Sequence, residues 1–349
     1  MTTHSAISEE SYLYPWQKGL FHELIQHQIP HSLLLFGQKD IGKLKFGLEL
    51  ANYLLCESSD QKPCGVCDAC HWVKQGSHPD LFIVLPQNLR HLLPFEIEND
   101  ADLEDAEEKK QSKVIRIEQI RHVISSNELG SYRGGKRVVL IYPIESMQIE
   151  AANCLLKTLE EPSSNLHFVL ITHQLERILP TIRSRCLLFS IPKPPINEAI
   201  SWLSTQLPDK WTAPLLAQRL SLHSGAPLKV MASINDKALD ESIITNQLAK
   251  FKSLHTGEII DLLSQNSILE ILNCILKWSF DLNLVLFGQQ VRYFPQFEEK
   301  MKSSCLAMNK IHFQQFLSGL KDDLRLANHP LFPKVQLEAV LMKYTQLFK

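Results

Sequence analysis

A short apolar run that leads directly into a glycine-rich loop constrains the fold of this chain more than any other feature. Residues 32–36 read Ser-Leu-Leu-Leu-Phe, the length of a buried strand, and Gly37, Gly42 and Lys43 follow at the spacing G-x-x-x-x-G-K. Such a loop turns its backbone N–H groups toward a phosphate group, and the helix after it presents its positive end. The sequence therefore predicts a strand, a phosphate loop and a helix, with a plain strand-to-helix turn as the alternative.

Both protein groups that would hold Mg²⁺ are missing from this unit. Leu44 occupies the position where the motif carries the hydroxyl of Ser or Thr. The buried strand predicted at residues 138–141 ends in Tyr142 and Pro143, where a site for phosphoryl transfer would place a carboxylate. Glu145 is the nearest carboxylate and a candidate to replace the missing acid. We therefore expect a degenerate site that does not hydrolyse ATP, and we expect ATP not to be bound.

Strand-length and helical segments alternate up to about residue 191, and helical patterns alone follow. An apolar helix face at residues 151–159 precedes an apolar strand at residues 166–172, and this alternation predicts a parallel sheet covered on both faces. The sequence Pro-Lys-Pro-Pro at residues 192–195 marks a hinge. The predicted fold class is α/β followed by all-α, with domains at residues 1–191, 192–235 and 236–349.

The third predicted domain has a helical core. Ile268, Ile271, Leu272, Ile275 and Leu276 recur at the spacing of one buried helix face. The neighbouring aromatic residues, which are Trp278, Phe280 and Phe287, are expected to pack in the same core rather than to bind a ligand.

Half of the cysteines are clustered. Cys56, Cys64, Cys67 and Cys70 fall within fifteen residues, and the C-x-x-C spacing lets neighbouring thiolates reach one metal ion. The pattern predicts one structural Zn²⁺ per chain, held by four sulfurs in a module at about residues 56–72. The alternatives are His71 in place of Cys56, an iron–sulfur cluster, or no metal. The other cysteines are expected to be small buried hydrophobes, and they are Cys154, Cys186, Cys274 and Cys305.

The charge pattern limits the classes of partner. The net charge of −2 argues against a protein that wraps DNA by overall electrostatics, and no apolar stretch reaches the length of a membrane span. The start of the chain lacks the pattern of a secretory signal, so the cytoplasm is the expected location. Residues 96–110 form an acidic segment that predicts a solvated insertion. Residues 133–137 form a small basic turn, which is either a solvated loop or a phosphate-backbone contact.

Four strings of residues together resemble a known family. They are the glycine loop, the cysteine cluster, Leu-Leu-Lys-Thr-Leu-Glu-Glu-Pro at residues 155–162 and Ser-Arg-Cys at residues 184–186. In combination they look like the bacterial clamp-loader subunits of the AAA+ family, and within it the delta-prime type of DNA polymerase III. The motifs cover about residues 12–230. The resemblance implies a RecA-like AAA+ domain with an inserted zinc module, then a small helical lid and a helical collar that joins subunits into a ring.

The resemblance also implies a division of labour within that ring. Its ATP-hydrolysing relatives, the motor subunits, carry Asp-Glu where Tyr142 and Pro143 stand here, so this chain resembles the non-hydrolysing stator. Arg185, the Arg of Ser-Arg-Cys, would then act in trans as an arginine finger on ATP bound by a neighbour. Thr172 falls at a sensor position and is expected to be structural. Leu228 replaces a second sensor Arg, unless Lys229 compensates for it.

The implied partners are motor subunits of the gamma/tau type and a delta subunit, with the sliding clamp and primer-template DNA as indirect partners in DNA replication. A second hypothesis from a different class is an autonomous AAA+ ATPase with a non-standard magnesium site that uses Glu145. Mg²⁺-dependent turnover by the isolated chain separates the two hypotheses.

Overall fold

The computed structural model describes residues 11–96, 112–128, 131–163, 165–235, 239, 241–306, 308–327 and 332–348. Contacts divide the chain into two compact units, Met1–Glu198 and Ala199–Lys349. The acidic segment predicted at residues 96–110 lies outside the described residues except for Glu96. None of the described helices is both long enough and apolar enough to cross a membrane.

The first unit contains a parallel sheet of five strands. They are β1 (Ser32–Phe36), β2 (Leu81–Val84), β3 (Arg137–Ile141), β4 (Leu166–Thr172) and β5 (Leu187–Ser190). The order across the sheet is β2-β3-β4-β1-β5, and every neighbouring pair is parallel. Because the strands are parallel, their carboxyl ends meet at one edge, where ligands bind in open sheets of this kind.

Helices connect the strands and cover the sheet. They are α1 (Lys18–Ile25), α2 (Lys43–Leu55), α3 (Asp68–Gln75), α4 (Ile117–Glu128), α5 (Ile149–Glu160) and α6 (Pro180–Arg183). Helix α2 packs on β3 and β4. Side chains of α4 and α5 pack in one hydrophobic core with alternate residues of the strands, among them Leu34, Val139 and Leu170. This two-sided burial explains why every residue of β3 and β4 is buried and why most of them are apolar, rather than alternating between apolar and polar.

The second unit consists of helices in its described residues, and α7 (Ile196–Gln206) begins just before it. The others are α8 (Ala213–Leu222), α9 (Pro227–Asn235), α10 (Glu241–Leu248), α11 (Thr256–Asp261), α12 (Ile268–Leu286), α13 (Glu298–Cys305), α14 (Lys310–Leu326) and α15 (Pro333–Thr345). The predicted fold class, α/β followed by all-α, is confirmed.

Two cores lie within the second unit. A small one gathers residues of α7, α8 and α9, such as Leu203, Leu216 and Val230. A larger one surrounds α12 and includes the predicted stripe from Ile268 to Ile275, with Leu276 at its margin. At its centre the indole N–H of Trp278 donates to the hydroxyl of Tyr344 over 2.8 Å.

The prediction for the three aromatic residues of this region holds for one of them. Trp278 is fully buried, whereas Phe280 is 40% exposed and Phe287 is 69% exposed. The difference has a geometric cause, since Phe280 lies on a side of α12 other than the stripe that Trp278 extends, and Phe287 follows the last residue of that helix.

Candidate functional site

The lysine of the glycine loop is turned toward the loop's own backbone. Its side chain is buried at the start of α2, and its Nζ donates to the carbonyl oxygen of Gly37 over 2.7 Å and to that of Gln38. Burial lowers the pKa of Lys43 to about 8, although Glu145 and Asp40 act to raise it. Two of the three donors of this ammonium group are therefore engaged within the loop, where a bound phosphate group would compete for them.

Neighbouring groups lie so close to the two loop glycines that neither position has room for a side chain. A side chain at Gly37 would meet the carbonyl oxygen of Ile191 at 2.2 Å. Gly42 has a φ of 95°, and a side chain there would meet the ring of Tyr14 at 2.4 Å. Tyr14 stacks on Trp16, whose indole N–H donates to the carbonyl oxygen of Ile41 over 3.1 Å. A segment ahead of α1 thus packs against the loop, and no sequence pattern predicts this contact because stacked aromatic residues have no fixed spacing.

Replacing Gly42 with Ala is expected to destabilise the first unit by about 1–3 kcal/mol, the usual cost of an L-residue held at positive φ, with displacement of Tyr14 in addition. Gly19→Ala is the matched control, because nothing lies within 4 Å of a side chain added at that helical position. Urea unfolding of both variants measures the difference. Equal stability of the two variants would contradict the tight approach of Tyr14.

The carboxyl ends of β3 and β4 place the predicted degenerate residues beside the loop. Tyr142 is buried and packs edge-to-face on His173 with ring centroids 5.3 Å apart. Burial raises the pKa of this phenol well above its usual range, so Tyr142 offers no anionic ligand to a metal at neutral pH. Thr172 is buried, and its hydroxyl accepts from the backbone N–H of Gln174 over 3.0 Å, which agrees with a structural role. Leu44 is buried as well.

Glu145 lies at the same edge. Its Oε1 accepts from the backbone N–H of His173 over 2.9 Å, while its buried Oε2 and the buried Nδ1 of His173 have no hydrogen-bond partner among the described residues. Burial lowers the pKa of His173 to about 3, helped by Lys43 nearby, so the ring is neutral at pH 7. The structure therefore brings the carboxylate of Glu145 close to the glycine loop. Tyr142 and Pro143 occupy the strand-end position where a phosphoryl-transfer site would place its carboxylate.

Arg185 follows α6 and is held by its own chain. Its Nη1 donates to the carbonyl oxygen of Thr181 over 2.7 Å and to the hydroxyl of Ser184 over 3.2 Å. Its Nη2 forms an ion pair with Oε1 of Glu160, the last residue of α5. Two of the motif strings, at residues 155–162 and 184–186, are thus in direct contact. Sequence reasoning did not predict this pair, because its members are 25 residues apart and no spacing rule links them.

The four clustered cysteines converge. Their Sγ atoms all lie within 4.8 Å of one another, with Cys56 to Cys67 and Cys64 to Cys70 both at 3.9 Å. A tetrahedral ion at about 2.3 Å from each sulfur separates the sulfurs by about 3.8 Å, whereas a disulfide would bring them to about 2 Å. His71 is exposed and does not belong to this cluster. The donor set fits Zn²⁺ with four thiolates.

Backbone groups support the sulfur cluster. The Sγ of Cys64 accepts from the N–H of Cys67 over 3.4 Å, and the Sγ of Cys67 caps α3 by accepting from the N–H of Cys70. Although burial acts to raise it, hydrogen bonds from the N–H groups of Val66 and Cys67 lower the pKa of Cys64 to about 6. At Cys64 these contacts favour the thiolate, the form that binds a metal, whereas burial raises the pKa of the Cys56 and Cys70 thiols.

The basic turn is bound to the rest of the unit. Arg133 pairs with Glu57 over 2.7 Å beside the cysteine cluster, and its guanidinium lies over the ring of Trp72. Arg137 forms a buried ion pair with Asp80 over 3.1 Å. Arg133 therefore holds the turn to the module and Arg137 holds it to Asp80, so both arginines are engaged within the unit, which favours the solvated-loop interpretation over a phosphate-backbone contact.

Comparison with known proteins gives the family. The family model described as "DNA polymerase III, delta subunit" matches residues 16–195, which is more than half of the chain. The chain belongs to this family. A relative from Pseudomonas aeruginosa named "DNA polymerase III subunit delta'" is 38% identical over 62% of this chain and 60% of the relative. One of the same name from Escherichia coli is 32% identical over 64% of this chain and 63% of the relative.

The chain also has a less similar relative with a different subunit name. A relative named "DNA polymerase III subunit tau", also from Escherichia coli, is 29% identical over 61% of this chain and 30% of the relative. The chain therefore spans less than two thirds of the length of these relatives. The predicted delta-prime type of clamp-loader subunit is confirmed at the level of the family.

Proposed function

We propose that this chain is a non-hydrolysing stator subunit of a bacterial DNA polymerase III clamp loader. The observation that carries the proposal is the state of the glycine loop. Lys43 is bound to the carbonyl oxygens of its own loop, Leu44 supplies no hydroxyl, and the strand-end position of the metal-binding acid is taken by Tyr142 and Pro143. Without Mg²⁺ ligands at either position, the γ-phosphate of ATP is neither clamped nor neutralised. The chain then contributes to loading of the sliding clamp without turning over ATP itself.

The active contribution that we propose is Arg185. A guanidinium is planar and permanently charged, so it stabilises the negative charge that spreads over the phosphate oxygens as the γ-phosphoryl group transfers. In the ring this side chain would act on ATP bound by a neighbouring motor subunit of the gamma/tau type. Two observations support this role. One relative is named as a tau subunit, and the motif strings at residues 155–162 and 184–186 are in contact at Arg185.

The remaining parts of the proposal follow from family membership. A delta subunit would be a further partner, and the sliding clamp and primer-template DNA would be bound through the complex. The proposed location is the cytoplasm, where replication takes place. We propose residues 192–235 as the helical lid and residues 236–349 as the collar. The four clustered thiolates would hold one structural Zn²⁺, which has no open coordination position and takes no part in catalysis.

Glu145 carries the second candidate function. Its carboxylate lies near enough to Lys43 to act on that lysine's pKa, and it occupies the edge of the sheet where an acid is needed. An autonomous ATPase would use this carboxylate to hold Mg²⁺.

Turnover by the isolated full-length chain tests both candidates. We expect no Mg²⁺-dependent release of phosphate from ATP above that of a buffer blank, because the site cannot position Mg²⁺. Glu145→Gln is the matched variant, and it should leave this result unchanged. Appreciable hydrolysis that disappears in Glu145→Gln would overturn the stator assignment and favour the autonomous ATPase.

A further inference from the structure

We infer that Glu160 is a latch that holds Arg185 on its own chain and must release it before the guanidinium can grip phosphate. The inference rests on the finger role proposed for Arg185. It concerns a residue of a different helix, the last one of α5, whose carboxylate pairs with Nη2 of Arg185.

The hydrogen bonds of Arg185 leave it unable to bind phosphate at two points. A guanidinium has five N–H donors, and phosphate is gripped through two parallel ones. Both donors of Nη1 are used, on Thr181 and Ser184, and one donor of Nη2 is used on Glu160. The Nε group is buried and has no hydrogen-bond partner in the described part of the chain. Because the Nε side of the guanidinium is buried, phosphate can be gripped only across Nη1 and Nη2, so at least one of these contacts must break when the finger engages.

Charge decides which contact breaks. The acceptors at Thr181 and Ser184 are neutral, so they do not repel a phosphate. The carboxylate of Glu160 competes with phosphate for the same Nη2 and repels it. An incoming triphosphate therefore displaces Glu160 first, and the ion pair opposes engagement of the finger until the neighbour holds ATP.

The position of Glu160 is otherwise unfavourable. It lies at the carboxyl end of α5, where the helix dipole disfavours a negative charge, and Glu161 adds a second carboxylate beside it. Glu160 is 48% exposed, so its charge is not needed to fill the core. Its pairing with Arg185 is the described contact that compensates for this placement. Removing its charge should therefore leave the stability of the helix intact.

Glu160→Gln in the reconstituted loader tests the latch. Exposed ion pairs shift an equilibrium by about 1.5- to 5-fold, so we expect kcat/KM for ATP at the site facing Arg185 to rise by about twofold to fivefold, mainly through a lower KM. Glu161→Gln is the matched control and should behave as the unaltered chain. In Glu160→Gln/Arg185→Ala the gain should vanish, because the effect of Glu160 passes through Arg185.

The outcomes separate the latch from the finger. If Arg185→Ala lowers activity while Glu160→Gln is unchanged or lowered, the latch is wrong and the finger stands. If Arg185→Ala has no effect, the finger fails and the latch in the ring fails with it. A gain that persists in the double variant also overturns the latch.

A measurement on the isolated full-length chain does not depend on the ring. NMR of the Arg185 guanidinium reports how freely it rotates about the Nε–Cζ bond. We expect slow rotation in the unaltered chain and in Glu161→Gln, and faster rotation in Glu160→Gln. Equal rotation in all three proteins overturns the latch whatever the ATPase results, and a thermal melt of each variant confirms that the fold is retained.

Discussion

Replacing Arg185 with Ala is expected to lower ATP turnover at the adjacent motor subunit by about 10³-fold or more, the range of a finger that stabilises phosphoryl transfer. The physical reason is loss of a fixed positive charge at the point where negative charge develops. The side chain is partly exposed, and among the described residues its guanidinium bonds to Glu160, Thr181 and Ser184, so folding and ring assembly should persist. Single-turnover hydrolysis in a loader whose other motor sites are inactivated isolates the affected site.

Arg183→Ala is the control for charge at this surface. Arg183 is the last residue of α6, lies two positions earlier, is also partly buried, and does not match the motif position. We expect turnover to stay within about threefold of the unaltered ring in this variant, as for most single surface charges. Unchanged turnover in Arg185→Ala, with normal assembly, would remove the finger from the proposed function.

The two variants also distinguish binding from catalysis. An interaction made only in the transition state lowers kcat and kcat/KM together, whereas an interaction made equally in the ground state raises KM alone. We expect Arg185→Ala to lower kcat and also to raise KM, because the finger contacts bound ATP and contacts the transition state more strongly, whereas Glu160→Gln should shift mainly KM, because the latch opens when ATP binds. The finger and the latch therefore have different kinetic signatures although their side chains touch.

The sequence predicts those parts of the fold that depend on local patterns. The run at residues 32–36 is β1, the predicted loop and helix follow it, and the apolar face of residues 151–159 is buried in α5 apart from partly exposed Leu156. Cysteine spacing predicts convergence of the sulfurs, because the C-x-x-C spacing places thiolates three positions apart close together.

The sequence does not predict contacts between distant segments. The pairing of Arg185 with Glu160 and the packing of Tyr14 on Gly42 join residues with no periodic relation, so only the folded chain brings them together. The direction of the Lys43 side chain is likewise a tertiary property, since the motif alone is compatible with an ammonium that faces a phosphate. Phe280 and Phe287 show a different error. Their apolar character predicts burial, but both are exposed.

Replacing Cys67 with Ser is expected to abolish stoichiometric zinc binding and to unfold the module around residues 56–75. Structural zinc sites bind with about 10–16 kcal/mol at neutral pH, and a hydroxyl is a poor substitute for a thiolate ligand. Cys67 also caps α3, so its loss removes a helix contact together with a metal ligand. Metal analysis of the unaltered chain should give one zinc per chain, and X-ray absorption should give four sulfurs at about 2.3 Å.

Matched variants separate the four-sulfur site from its alternatives. Cys154→Ser and His71→Ala should both keep one zinc, since Cys154 is outside the cluster and His71 is exposed away from it. Loss of zinc in His71→Ala would instead favour a set with one imidazole, and iron with visible absorption would indicate a cluster. Full zinc content in Cys67→Ser would refute the proposed ligands.

The extent of unfolding in Cys67→Ser should be limited by how the module is attached. Arg133 reaches Glu57 and Trp72 at its surface, whereas the sheet core has its own buried residues in β1, β3 and β4. Hydrogen exchange should therefore increase in residues 56–75 and in the turn at residues 131–135, while β3 and β4 stay protected. Loss of protection throughout the sheet would mean that the zinc site stabilises the whole first unit rather than the module that contains it.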